Sequence, residues 1–183
     1  MVEVPCDETL PVQEARAGEP EAWDTLFKRY QLPLYAYVFE LVRDEQASLD
    51  LVQETFINAV RHIGRLREDE KFGSWLFSIA HQKWIQHWRK RRPEAQVEDD
   101  EIGQLADEEA GPEAWLIRKE EEEKVMLLLN QLPVPQRSVL LLHYIEEFSI
   151  EEIADITVTA VGTVKSRLHY AKRALKKLIQ DNA

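Results

Sequence analysis

The sequence predicts an all-α fold: two small helical domains joined by a flexible acidic linker. Three observations carry this expectation. Apolar residues recur at spacings of three and four, as in Trp23, Leu26, Phe27, Tyr30 and Leu34, and again in Val52, Phe56, Val60 and Ile63, which stacks them on one face of a helix. No run alternates apolar and polar residues between turn dipeptides, the pattern a sheet would need. Charge, finally, is segregated. The chain carries a net charge of -11, yet residues 1–92 hold 13 basic and 15 acidic side chains and residues 124–183 hold 8 and 6, whereas residues 93–123 hold 2 and 13. The middle segment therefore accounts for the whole imbalance. It contains Pro93, Gly103, Gly111 and Pro112 and few apolar residues, so its like charges repel with little to bury. The expected divisions are 10–92, 93–112 and 113–183.

In the first domain, no Pro falls between Leu34 and Arg92. Within Asp50–Phe56, Leu51, Val52 and Phe56 point inward, while Asp50, Gln53 and Glu54 share the other side, with Ile57 nearby; taken alone, that side is a solvated face. The stretch from Phe72 to Arg92 has two apolar faces at 100° per residue. One holds Phe72, Trp75, Leu76 and Ile79. The other holds Phe77, His81, Trp84, Ile85 and Trp88 and runs into Arg91 and Arg92. Aromatic rings beside Lys and Arg suit single-stranded nucleic acid, which needs stacking surfaces and phosphate partners. Packing of at least one of Trp84 and Trp88 against a neighbouring helix is the competing expectation.

In the second domain, Ser149 followed by Glu152 forms a capping box and starts a short helix. The β-branched run Thr157-Val158-Thr159 interrupts it, and Thr159 is the expected N-cap of the next helix. There Val161, Val164, Leu168, Ala171, Leu175 and Leu178 form one stripe, and the other faces present Thr163, Lys165, Ser166, Arg167, Tyr170, Lys172 and Arg173. A short helix, a tight turn and a longer basic helix make a helix-turn-helix, which reads DNA in the major groove. From Thr163 to Lys177 there are six basic residues and no acidic one. The helix dipole favours cations in the last turns, which accounts for Lys172, Lys176 and Lys177 but not for Lys165 and Arg167 near the start. A bound phosphate would relieve that conflict.

Enzyme classes find little support. Six scattered Gly build no phosphate loop, and the single Cys6 permits neither an internal disulfide nor a Cys-based zinc site. No Gly-Xaa-Ser-Xaa-Gly, His-Glu-Xaa-Xaa-His or Glu-Xaa-Xaa-His motif is present. Neither catalytic residues, metal, cofactor nor small-molecule substrate is expected. The N-terminus lacks a basic region followed by an apolar run, so the expected location is the cytoplasm.

Three segments in series resemble bacterial RNA polymerase sigma factors of the sigma-70 family, extracytoplasmic-function (ECF) type. LFKRYQLPLYAYVFELVRDEQASLDLVQETF is similar to the start of that family's domain 2, FGSWLFSIAHQKWIQHWRKRR to its promoter-melting and −10-reading helix, and LPVPQRSVLLLHYIEEFSIEEIADITVTAVGTVKSRLHYAKRALKKL to its domain 4. The resemblance runs from about Trp23 to Leu178, broken by the linker.

The resemblance implies a function: binding core polymerase and directing promoter-specific initiation. Asp50, Gln53, Glu54 and Phe56 match the motif that docks on the clamp helices of the largest subunit; the flap of the second subunit is a further implied contact. The segment from Arg65 to Lys71 matches the loop that holds a flipped −10 base. His81, Gln82, Lys83, Trp84, Trp88, Arg89, Arg91 and Arg92 fall in the −10 and melting region. Ser149, Thr159, Thr163, Lys165, Ser166, Arg167, Tyr170, Lys172 and Arg173 fall in the −35-reading helix-turn-helix. An anti-sigma factor is a further implied partner, and the acidic linker would thread polymerase channels. His81-Gln82 stands where the family often has Arg-Asn, Gln86 where it has Asp, and Thr157-Val158 where it has Leu-Gly. Gly serves a turn that needs positive φ, so either this turn differs or Val158 is strained. The alternative function is a helix-turn-helix regulator that never touches polymerase; it would need neither Asp50-Gln53-Glu54 nor the aromatic helix.

Overall fold

The computed structural model describes residues 10–91 and 127–181, with Arg91 described by its backbone only. Arg92, the expected linker 93–112 and residues 113–126 lie outside the described residues. Chain contacts divide into two compact units, residues 1–88 and 89–183, and each is taken by itself. Every regular element among the described residues is helical.

The first unit begins with α1 (Val12–Ala17), which Gly18 ends at φ 90°, a conformation open to Gly. The chain then turns into α2 (Pro20–Val42), with Pro at its start, where the missing N–H costs nothing. This helix also runs through Pro33. Asp44 caps α3 (Glu45–His62) by accepting the Ala47 N–H at 2.8 Å. Two 3₁₀ turns, Ile63–Arg65 and Asp69–Lys71, lead into α4 (Phe72–Arg91). The core comprises Leu26, Leu34, Tyr37 and Val38 of α2, Leu51, Val52, Phe56 and Ala59 of α3, and Phe72, Leu76, Phe77 and Ala80 of α4. Both apolar faces of α4 contribute, because Phe77, His81 and Trp84 turn inward as fully as Phe72 and Leu76.

The second unit packs α5 (Val134–Tyr144), α6 (Ile150–Thr157) and α7 (Val161–Asp181) around Val139, Leu142, Ile153, Ile156, Val164, Leu168 and Ala171. The stripe expected on α7 is buried only at Val164, Leu168 and Ala171; Val161 is exposed, and Leu175 and Leu178 are half-buried. The capping box at Ser149 forms as expected, with Glu152 closing it from the third position.

The turn from α6 to α7 is a left-handed cap. Val158 sits at φ 53°, ψ 49°, the Thr159 N–H donates to the Ala154 carbonyl, and the Val158 N–H donates to that of Asp155. These are the paired bonds of a Schellman ending. Of the two alternatives at this turn, the structure selects strain at Val158: a β-branched residue occupies a Gly conformation. Thr159 does not cap α7. Its hydroxyl lies 2.9 Å from that of Thr157, and α7 begins two residues later, at Val161.

Candidate nucleic-acid interface

The α3 face that the sequence singled out stands in solvent. Asp50, Gln53 and Glu54 are exposed, and the Asp50 carboxylate accepts from Gln46 Nε2 at 3.0 Å. Leu49 and Ile57 are exposed as well. They lie four residues on either side of Gln53, hence along one helical ridge. Sequence reasoning placed Ile57 near the polar face and missed Leu49, although that spacing was the signal. Phe56 of the same motif points inward as expected: it is buried, with its ring 4.8 Å from Phe27, so it supports α3 from beneath.

The loop from Arg65 to Lys71 is laid out between the two 3₁₀ turns. Ile63 and Leu66 are buried, whereas Arg65, Arg67, Glu68, Glu70 and Lys71 point outward. Lys71 pairs with Glu68 at 3.1 Å. From α1, Arg16 Nη2 donates to the Leu66 carbonyl at 3.1 Å and to Asp69 Oδ1 at 2.6 Å. The Arg16 and Gln13 hydrogen bonds hold the Asp69 carboxyl below the usual carboxylate range.

On α4, His81 and Trp84 are corrections to the expected DNA face. His81 is 5% exposed, with Nδ1 2.7 Å from the Tyr37 hydroxyl, and its ring lies 5.2 Å from that of Trp84, which is equally buried. Of the two Trp for which packing was the competing expectation, Trp84 is the buried one. Gln82, Lys83 and Trp88 are half-buried and Arg89 is exposed. Lys83 Nζ lies 3.0 Å from Glu54 Oε2, so the basic helix and the acidic face of α3 share an ion pair. The side chain of Arg91, and Arg92, lie outside the described residues.

On α7, Lys165, Tyr170 and Arg173 are exposed and Thr163 and Ser166 half-buried. Ser166 Oγ donates to the Gly162 carbonyl at 3.0 Å. Arg167 is a correction: at 9% exposed it faces the interior. It lies three residues after Val164 and four before Ala171, on the edge of the buried stripe, and that arithmetic was available in the sequence. Lys172 is held over the Tyr144 ring, 5.2 Å from its centroid. His169, exposed and four residues from both Lys165 and Arg173, joins their face and had not been singled out. Ser149 is exposed, with its hydroxyl engaged by Glu152 at 2.8 Å; Thr159 is half-buried. The result is a recognition-helix face of Lys165, His169 and Arg173 with no carboxylate along it.

Comparison with known proteins decides between polymerase docking and DNA binding alone. Residues 26–94 match the model of Sigma-70 region 2 and residues 122–175 that of Sigma-70, region 4. The chain belongs to the sigma-70 family of RNA polymerase sigma factors, ECF type. Among relatives of this sigma factor, the RNA polymerase sigma-H factor of Pseudomonas aeruginosa is 35% identical over 178 residues, 92% of each chain. The ECF RNA polymerase sigma-E factor of Escherichia coli is 31% identical over 177 residues, again 92% of each. Among solved structures, the sigma factor RpoE of Bartonella quintana, crystallised with the anti-sigma factor NepR, gives a TM-score of 0.62 at 27% identity over 85% of this chain and 96% of that one. CnrH, solved with the cytosolic domain of CnrY, shares the fold, with a TM-score of 0.68 at 23% identity over 94% and 96% of the two chains. A sigma factor binds core polymerase and promoter DNA, and the region 2 match sets aside the regulator that never meets polymerase. Among the described residues, no helix of this sigma factor is long and apolar enough to cross a membrane.

Proposed function

We propose that this sigma factor docks on core polymerase through the α3 ridge of Leu49, Gln53 and Ile57, flanked by Asp50 and Glu54. The −10 element is met by the 65–71 loop and by Gln82, Lys83, Trp88 and Arg89 of α4, the −35 element by Lys165, Ser166, His169 and Arg173 of α7. The divisions 10–92, 93–112 and 113–183 serve docking and melting, tethering, and −35 reading. The observation that carries the docking assignment is the α3 ridge itself, where two large apolar side chains stand in solvent beside three polar ones, a composition that suits a protein interface. The protein works in the cytoplasm and catalyses nothing itself; the chemistry is that of the polymerase. An anti-sigma factor is a further partner, supported by the likeness to a factor crystallised with one.

A titration against core polymerase tests this. Gln53→Ala with Ile57→Asp should leave folding nearly unchanged, because exposed substitutions usually shift stability by less than about 0.5 kcal/mol, while core affinity falls. Unchanged core affinity rejects the docking face.

A further inference from the structure

We infer that Arg16, on α1, is the positioning residue for the loop that meets the −10 element. The inference rests on the reading of residues 65–71 given above, and the experiment separates the two.

The loop does little to hold its own shape. Its local backbone bonds are the Leu66 N–H to the Ile63 carbonyl and the Lys71 N–H to the Glu68 carbonyl, each at 3.1 Å. These close the two turns singly; the buried Ile63 and Leu66 seat the first turn, and neither bond ties one turn to the other. Arg16 supplies the missing constraint. One guanidinium nitrogen reaches the Leu66 carbonyl, just after the first turn, and Asp69 Oδ1, in the second. Two acceptors three residues apart are thereby fixed to one donor.

The anchor is itself anchored. Val12 and Ala15 of α1 are buried, and Trp23 Nε1 donates to the Ala15 carbonyl at 2.9 Å. Gly18, at φ 90°, ends α1 just before α2 begins at Pro20. Gln13, also on α1, joins Arg16 in favouring the ionised Asp69 carboxyl.

Stability alone does not account for this arrangement. The Arg16 and Asp69 side chains are 35% and 26% exposed, and ion pairs so open to water contribute little to folding. What the pair does is set the distance between the turns, and with it the direction in which Arg67 and Glu68 project. A loop that holds one base must keep that spacing in the bound state. Loss of Arg16 should therefore cost discrimination more than stability.

The test uses holoenzyme assembled from core polymerase and the full chain, and promoters varied one base at a time. For Arg16→Ala, core affinity and the −35 profile should stay within about twofold of wild type, whereas preference at one or two adjacent −10 positions should fall about tenfold, the order of one base contact. Arg16→Lys, which keeps the charge beside Asp69 on a shorter and less directed side chain, should fall between. Asp69→Asn leaves α1 intact and should relax the same positions, so the question remains open to trial should Arg16→Ala not fold. An unaltered −10 profile for both Arg16→Ala and Asp69→Asn, or an even loss across all positions, overturns the inference. Arg67→Ala with Glu68→Ala distinguishes the cause. If that pair relaxes a −10 position and the Arg16 and Asp69 variants do not, only the positioning role falls. If it too leaves the profile intact, the loop is not a reader and both readings fall together.

Discussion

Glu54 and Lys83 form an ion pair at 3.0 Å across 29 positions of sequence. One belongs to the acidic face of α3 assigned to polymerase and the other to the helix assigned to promoter DNA. The pair is open to water, with side chains 56% and 23% exposed, so it stabilises the fold by at most about 1 kcal/mol. Its consequence is that Lys83 is already engaged when the protein is free.

Replacing Glu54 with Gln should release Lys83 and tighten low-salt binding of the free protein to DNA. Asp50→Asn makes the same charge change on the same helix without touching Lys83 and should do less. The gain should vanish in a Lys83→Ala background. Equal gains from both carboxamide variants would show a general charge effect and dismiss any role for the pair.

Lys165 and Arg167 should part company. Lys165 is exposed and Arg167 interior. Lys165→Ala should weaken or relax −35 recognition with the fold intact. Arg167→Ala should instead destabilise the C-terminal unit in a denaturation titration, by an amount typical of a buried polar group that loses its contacts, about 1–3 kcal/mol. A promoter-library profile with one position relaxed only in Arg167→Ala, at unchanged stability, would return Arg167 to the DNA face.

Val158→Gly should stabilise. The residue is 71% exposed at φ 53°, so little packing is lost while left-handed strain is relieved. Against the entropic cost of Gly, the net gain should be about 1 kcal/mol. Chemical denaturation of the C-terminal unit measures it; a loss of stability would mean that this backbone conformation is not strained for Val.

Glu146 supplies a pH dependence. Burial pushes its carboxyl up to about 7, so the folded chain holds this proton more tightly than the unfolded chain does. The resulting penalty is absent below the unfolded pKa of about 4.3 and complete above about 7. Glu146→Gln should therefore raise the melting temperature at about pH 8 and leave it unchanged at about pH 4. Equal shifts at both pH values would trace the effect to packing.

The sequence by itself determined the helical class, the placing of the basic recognition helix and the capping box at Ser149. All of these depend on neighbours within one or two turns, and local spacing and capping chemistry report such neighbours directly. It also marked Asp50, Gln53 and Glu54 as one outward face, because a single amphipathic helix sorts its own sides. Tertiary structure decided how much of the two apolar faces of α4 was free: His81 found the Tyr37 hydroxyl of α2 and Trp84 was buried, which left Trp88 half-buried. It likewise turned Arg167 inward, where the edge of a buried stripe is settled by how far the packed helices overlap. The clasp of Arg16 on Leu66 and Asp69 spans 50 and 53 positions. Such contacts have no period in the chain, since they arise only when packing brings distant segments together.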